Sequence, residues 1–261
     1  MKAINSKDNS IIKEIKKLNI KKYRTENKRF LIEGIRFVEE ALKSEFNIPY
    51  IFVCESLIGK IEGNINLKKS NTEVYLLNEK LMKYICNTQT PQGIAAVIDM
   101  KEDLDLDTSE GVYILVDRIQ DPGNMGTIIR TAHAIGAKGI IVTKGTVDVY
   151  NDKTLRSTMG SIFKVPIICD DNGVVVNNLR SEGYELIVST LNATESFYDV
   201  DLTGKILLTI GNEGNGICKK IIDSADKSVK IPMVGDAESL NVAVAAAVMM
   251  YEALRQKLKK M

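Results

Sequence analysis

The sequence predicts an α/β protein in two parts: a smaller N-terminal α/β domain and a larger C-terminal domain built on a mostly parallel sheet. Three observations predict it. After Gly111, apolar β-type runs and helical patterns alternate, as they do when parallel strands are joined by crossover helices. Before Asp99, short β runs, YIFVC (50–54) and VYLL (74–77), are interleaved with amphipathic helical stretches. Between the two, DMKEDLDLDTSEG (99–111) carries six acids against one lysine, a net of −5, and shows no core pattern. It reads as a linker. The division is therefore a domain at 1–98, an acidic linker at 99–111 and a second domain at 112–261.

Bulk composition narrows the class. The chain has 261 residues, 44% hydrophobic and 26% charged, the balance of a soluble globular protein able to bury a core. No apolar run approaches the roughly 18 residues of a membrane span. MKAINSKDNS has no apolar signal-peptide core, so a cytoplasmic location is expected. Four scattered cysteines and a single histidine form no CxxC or Cys/His cluster, so neither a metal site nor a disulfide framework is expected. The net charge of +1 conceals an asymmetry: residues 1–29 hold ten Lys/Arg against three acids, a net of +7. Such a segment favours a polyanion through counterion release, though a solvated helix face reads equally well.

The elements follow in order. In NSIIKEIKKL (9–18), Ile11, Ile12, Ile15 and Leu18 fall at helical spacing. FLIEGIRFVEEALKS (30–44) reads as a second amphipathic helix, with Ile35, Val38 and Leu42 inward. LNEKLMKYIC (77–86) is helical, and TQTPQGIAAVIDM (88–100) passes from a Pro/Gly turn into a strand. In the second part, strands are predicted at 112–116, 139–143, 165–168, 185–190, 206–210 and 228–231. Helices are predicted at 124–136, 151–158, 173–181, 216–224 and 241–258. Sheets of this kind bind ligands beyond the carboxyl ends of their strands, where three polar, glycine-bearing loops fall.

The first loop is DRIQDPGNMGTIIR (117–130), where Pro122, Gly123 and Gly126 make a tight turn around Asn124, and Arg130 lies in the helix that follows. Asn124 can donate and accept, and Arg130 can grip a phosphate bidentately; alternatively one caps the helix and the other is a surface charge. The second is IGNEGNGI (210–217), whose Gly-x-x-Gly-x-Gly spacing meets neither the dinucleotide fingerprint nor the P-loop. Glu213 sits among its glycines, either for chemistry or as a solvated turn residue. The third is IPMVGDAESLNVAVAAAV (231–248), where Ser239 or Asn241 is placed to cap a helix so apolar that it is a core or interface element.

Taken together, N-x-G-x-x-x-R-x-A (Asn124–Ala132), I-G-N-E-G-x-G (Ile210–Gly216) and I-P-M-x-G-x-x-E-S-L-N-V-A-V-A (Ile231–Ala245) resemble the SpoU, or TrmH, family of RNA ribose 2′-O-methyltransferases over residues 112–258. LRSTMGSIFKVPI (155–167) is similar to that family's middle segment. FLIEGIRFVEEAL and TPQGIAAV resemble the L30e-like substrate-binding domain of its rRNA members. The resemblance implies a trefoil-knotted C-terminal domain, an S-adenosylmethionine cofactor and a homodimer joined through the knotted domain. It implies catalytic roles for Arg130, Asn124, Glu213, Ser239 and Asn241. It also implies a cofactor pocket at Gly211, Ile231 and Leu240, with Thr190 beside them. His133, where relatives often carry an acid, is read as a packed or capping residue rather than a general base. The implied reaction is methylation of a ribose 2′-OH of 23S rRNA. A tRNA substrate, or a non-catalytic RNA-binding role in ribosome assembly, are the alternatives.

Overall fold

A computed structural model of the chain describes residues 1–63, 67, 72–101 and 105–260. Part of the acidic linker, 102–104, lies outside the described residues. Along the first hundred residues run β1 (Lys2–Ile4), α1 (Ser10–Lys17), α2 (Lys21–Asn27), β2 (Arg29–Glu33), α3 (Ile35–Lys43), β3 (Tyr50–Cys54), α4 (Ile58–Glu62), β4 (Glu73–Leu77), α5 (Glu79–Ile85) and β5 (Ile94–Asp99). Then follow β6 (Gly111–Val116), α6 (Pro122–Ala134), β7 (Gly139–Val142), α7 (Asp152–Thr158), β8 (Ile167–Cys169), α8 (Val174–Ser181), β9 (Glu185–Ser189), β10 (Glu195–Ser196), β11 (Lys205–Ile210), α9 (Lys219–Asp223), β12 (Lys227–Lys230) and α10 (Val242–Lys260). Two compact units result: Met1–Asp103 with Tyr150–Phe163, and Leu104–Val149 with Lys164–Met261.

The first unit holds a five-stranded mixed sheet in the order β1-β4-β3-β5-β2. Ile12, Ile15 and Leu18 of the first helical pattern are fully buried against Phe52, Leu81, Ile85 and Val97, as their spacing requires. The helix predicted over 30–44 is a strand followed by a helix. Residues 29–33 form β2, paired antiparallel with β5 so that Phe30 faces Ile98 and Ile32 faces Ala96. Gly34, at φ +106, makes the break, a conformation that side-chain-bearing residues rarely adopt. In α3, Val38 and Ala41 are the buried residues.

The segment at 150–163 returns to this unit, although the sequence division gave 112–261 to one domain. Aromatic packing accounts for the return. The Phe163 ring lies 5.4 Å from Phe37 and 5.3 Å from Phe46, and Tyr150 lies 4.8 Å from Phe30. Buried rings at these separations add about 0.5–1.5 kcal/mol per pair beyond area burial.

The second unit is a seven-stranded, all-parallel sheet in the order β10-β12-β9-β11-β6-β7-β8. Its central strands are continuous apolar runs (YILV in β6, IIV in β7, ILLTI in β11), as strands covered on both faces must be. On one face α8 packs through Leu179, with Tyr113, Leu186 and Leu207 beneath it. Elsewhere α6 and α10 pack on each other. The helix predicted at 216–224 is shorter, because 212–216 closes on itself as a turn before α9 begins. Among the described residues no helix is long and apolar enough to cross a membrane.

Candidate active site

Four adjacent strands, β12, β9, β11 and β6, end on the same side of the parallel sheet. From β6 the chain proceeds to β7 and β8 in one direction, whereas β9, β11 and β12 lie in the other. That reversal opens a crevice beyond the strand ends. The residues that follow the four strands, Ile231, Thr190, Gly211 and Asp117, all sit at this end. A cavity of about 590 Å³ lies there, lined by Thr190, Gly211, Glu213, Ile231, Ser239, Leu240 and Asn241 among others. Thus seven of the nine residues singled out from sequence share one cavity wall.

The remaining two differ from each other. Asn124, in the first turn of α6, is drawn into the cluster by hydrogen bonds. Its Nδ2 donates to Glu213 Oε1 at 3.0 Å, and its Oδ1 accepts from Asn241 Nδ2 at 3.1 Å. Asn241 in turn caps α10, its Oδ1 accepting from the backbone N–H of Ala243 at 3.0 Å and Val244 at 3.3 Å. The direction of this relay is fixed at both ends. An ionised carboxylate only accepts, and helix N–H groups only donate, so each amide has one possible orientation. Asn241, not Ser239, is therefore the helix cap. Arg130 is exposed two turns into α6, and its side chain makes no hydrogen bond or ion pair to any described residue.

Glu213 closes the relay. Its carboxylate also accepts the backbone N–H of Gln120 at 3.1 Å and of Asp121 at 3.2 Å. Burial alone would raise its pKa. The hydrogen bonds from the Asn124 side chain and from the Gln120 and Asp121 backbone outweigh burial and hold it below the ordinary glutamate value. The group is an anionic acceptor at neutral pH. His133 is exposed in the last turn of α6, not packed in the core.

Several residues that hold this arrangement carried no signal in the sequence reading. Asp117 is buried, and its carboxylate accepts from Cys218 N at 2.7 Å, Thr143 Oγ1 at 3.0 Å and the Arg118 guanidinium at 3.2 Å. Arg118 sits at φ 58, a left-handed conformation unusual for a residue with a side chain. Both of its backbone groups are held: the N–H donates to Thr146 Oγ1 at 3.0 Å, and the C=O accepts from Asn212 Nδ2 at 2.8 Å. Asn212 also accepts from the N–H groups of Gly214 and Asn215 at 3.0 and 2.8 Å, folding the glycine loop back on itself. Gly211 has no room for a side chain, since a Cβ there would lie 2.5 Å from the Gly216 carbonyl carbon. Only Asp121 was legible: an Asp before Pro at a helix start is a capping signal, and its Oδ1 accepts from Asn124 N at 2.9 Å.

A parallel sheet with a polar, loop-built crevice over a cavity beyond its strand ends defines an α/β protein with a place for a compact ligand there. Residues 111–251 match the SpoU rRNA methylase family, and residues 9–96 match the MRM3-like substrate binding domain. The chain belongs to the SpoU rRNA methylase family. It is 39% identical over 251 residues to the 23S rRNA (guanosine(2553)-2′-O)-methyltransferase RlmP of Bacillus subtilis, covering 96% of this chain and 98% of that protein. Among solved structures, the AdoMet-bound rRNA methyltransferase of Sinorhizobium meliloti is 31% identical with a TM-score of 0.85, covering 97% of both chains. The SpoU methyltransferase AviRb of Streptomyces viridochromogenes, in complex with AdoMet, is 30% identical with a TM-score of 0.85, covering 96% of this chain and 98% of that one.

Proposed function

We propose that this chain methylates a ribose 2′-OH of 23S rRNA with S-adenosylmethionine. The observation that carries the reading is the Glu213–Asn124–Asn241 relay, set at the lip of a cavity of about 590 Å³. The cavity suits the cofactor. Its volume lies within the ~300–1,000 Å³ of small-molecule sites. Leu191, Ile210, Met233 and Met249 offer apolar surface to an adenine ring, and Glu213 and Glu238 put carboxylates where a sulfonium would gain from them. Backbone groups at Gly211, Ile231 and Leu240, with Thr190, are assigned to hold the cofactor, and Ser239 to order the ribose.

Bound there, S-adenosylmethionine supplies an electrophilic methyl group on a good leaving group. The protein must then align a neutral hydroxyl, a poor nucleophile, and let its proton leave. Arg130 has no partner among the described residues and projects from α6, so it is assigned to the substrate. Its guanidinium is a charged donor with no acceptor site, so it is no base. It grips the phosphate next to the target ribose and orients the 2′-OH, whose proton passes to phosphate or water. Asn124 is a positioning residue, because both ends of its amide are engaged within the protein.

Further assignments extend the reading. The basic N-terminal unit supplies affinity for structured RNA. An exposed apolar stripe on α10, with Val244, Tyr251 and Leu258, supports a homodimer. A trefoil knot in the C-terminal path and action in the cytoplasm, where ribosomes are assembled, complete the proposal. The test offers unmodified 23S rRNA and tRNA separately to the protein with labelled S-adenosylmethionine, and maps 2′-O-methyl groups. Label in 23S rRNA that is lost in Arg130→Lys supports the proposal. Label only in tRNA, or near-normal turnover by Arg130→Lys, overturns the corresponding part. Cofactor binding without transfer to either RNA favours a non-catalytic role.

A further inference from the structure

Ten basic residues stand against three acids in residues 1–29, and the structure shows where the three acids go. Asp8 pairs with Lys13 at 2.7 Å, Glu14 with Arg29 at 3.2 Å and Glu26 with Lys22 at 3.8 Å. Lys2 is drawn to Glu73 at 2.9 Å. Lys7, Lys16, Lys17 and Lys21 have no acidic partner among the described residues. They are not scattered. The Nζ atoms of Lys7 and Lys16 lie 4.7 and 5.1 Å from the centroid of one ring, Tyr84, on α5. Lys17, beside Lys16 on α1, lies 5.5 Å from the ring of Tyr23 on α2, and Lys21 begins that helix.

Two ammonium groups over a single ring are within on the order of 10 Å of each other, about one Debye length at physiological salt, so their repulsion is only partly screened. With no carboxylate between them, an external anion bound there would relieve that repulsion. Attraction to the ring faces also restrains lysine side chains that would otherwise lose about 2 kcal/mol of rotamer entropy on binding. The ammonium groups over the two rings present positive charge at this surface. What the surface reads is phosphate spacing, not sequence.

We infer that Lys7 and Lys16 over Tyr84, Lys17 over Tyr23, and Lys21 at the start of the Tyr23 helix form a preorganised phosphate-tracking surface that docks the RNA backbone. The inference rests on the RNA-methylating reading and names the surface that gives it affinity. An acidic protein would satisfy the same charges. RNA is favoured because each neutralised phosphate releases condensed counterions, a gain that an unstructured acidic peptide supplies far less.

The experiment measures association with unmodified 23S rRNA across 50–300 mM salt. It compares the wild-type chain, the quadruple variant Lys7→Gln, Lys16→Gln, Lys17→Gln, Lys21→Gln, the same four positions changed to Arg, and a Lys219→Gln, Lys220→Gln control on α9. Each phosphate contact contributes roughly 0.7–0.9 to the slope of log K against log salt. The Gln variant is expected to lose about 3 from that slope and at least tenfold in affinity. Its KM for RNA should rise while kcat stays within about twofold and cofactor affinity is unchanged. The Arg variant and the α9 control should bind as wild type. An unchanged slope, an equal loss in the control, or loss of polyglutamate binding with RNA binding intact overturns the inference. Association needs no turnover. A wild-type chain that binds with the expected slope but methylates nothing therefore refutes the catalytic reading and leaves the surface standing.

Discussion

Asn124→Asp is the most informative single change, because it alters one atom type without altering shape. In the native site Asn124 Nδ2 donates to Glu213 Oε1 at 3.0 Å. The substitution replaces that donor with a carboxylate oxygen facing another. Two unit charges about 3 Å apart repel by about 1.4 kcal/mol in water and about 5.5 kcal/mol at an effective dielectric of 20. Glu213 is exposed and Asn124 half-buried, which puts the repulsion near the water limit, about 2 kcal/mol. Loss of a hydrogen bond to a charged acceptor adds about 1.5 kcal/mol. If relay geometry governs the step, the two together, about 3.5 kcal/mol, slow single-turnover transfer at pH 7.5 on the order of several hundred-fold. Asn124→Ala removes the tie without adding a charge and falls only about tenfold. The pH response separates the two further. Paired carboxylates at this distance raise the pKa of the pair, so one proton shared between them replaces repulsion with a hydrogen bond. Asn124→Asp should therefore gain on Asn124→Ala between pH 7.5 and 5.5. Adding Glu213→Gln removes the charge repulsion, but an amide NH2 turned toward the new carboxylate also faces the Asp121 N–H, so it should recover only part of the loss. Activity of Asn124→Asp equal to or above that of Asn124→Ala at pH 7.5, with no relative gain on acidification, refutes the relay.

Three further outcomes follow from the same geometry. Gly211→Ala places a Cβ 2.5 Å from backbone atoms of Gly216 and Ile217, and should cost at least tenfold in S-adenosylmethionine affinity by calorimetry. Gly214→Ala, whose nearest neighbour would be 3.8 Å away, should stay within about threefold. Asp117→Asn strips a buried acceptor of its charge and leaves one of its N–H or O–H donors unmatched, so the urea midpoint should drop by the equivalent of about 2–3 kcal/mol. Glu213 has a folded-state pKa below its unfolded value, so its ties are fully present above the ordinary value of 4.5 and are lost as pH falls through the lower folded value. Cofactor affinity should be flat from pH 8 to about 5 and weaken only below that, whereas Glu213→Gln should show no such acid limb.

What was legible in the sequence is what local pattern controls. Short β-branched apolar runs such as VYILV and ILLTI, bounded by turn residues, fit strands covered on both faces, and parallel strands put the loops after them at one end of the sheet. The misreading of FLIEG came from the same source. Its apolar spacing continues that of the helix behind it, and only pairing with Ala95–Asp99, over sixty residues away, makes it a strand. Asp117 went unnoticed because its partners, Thr143 and Cys218, lie 26 and 101 residues on in the chain. A carboxylate among polar neighbours looks solvated until the fold buries it. Returning Tyr150–Phe163 to the first unit is likewise a matter of long-range ring packing that no periodicity encodes.

The relay also changes what the first loop does. A sequence reading naturally sends both Asn124 and Arg130 to the substrate, since both belong to the first loop and the helix that follows it. In the structure their side chains are engaged differently. Asn124 spends its donor on the second loop and its acceptor on the third, so α6 cannot shift without disturbing Glu213 and the cap of α10. Those are also the loops that line the cavity. Arg130, free on the same helix, is thereby carried at a fixed offset from whatever the cavity holds. In-line transfer between two bound molecules requires that kind of rigid reference, because an error of about 1 Å between reacting atoms costs on the order of 100-fold. An amide is the side chain suited to the joint. Uncharged, with its donor and acceptor on separate atoms, it can donate to a carboxylate on one side and accept from a neighbouring amide on the other.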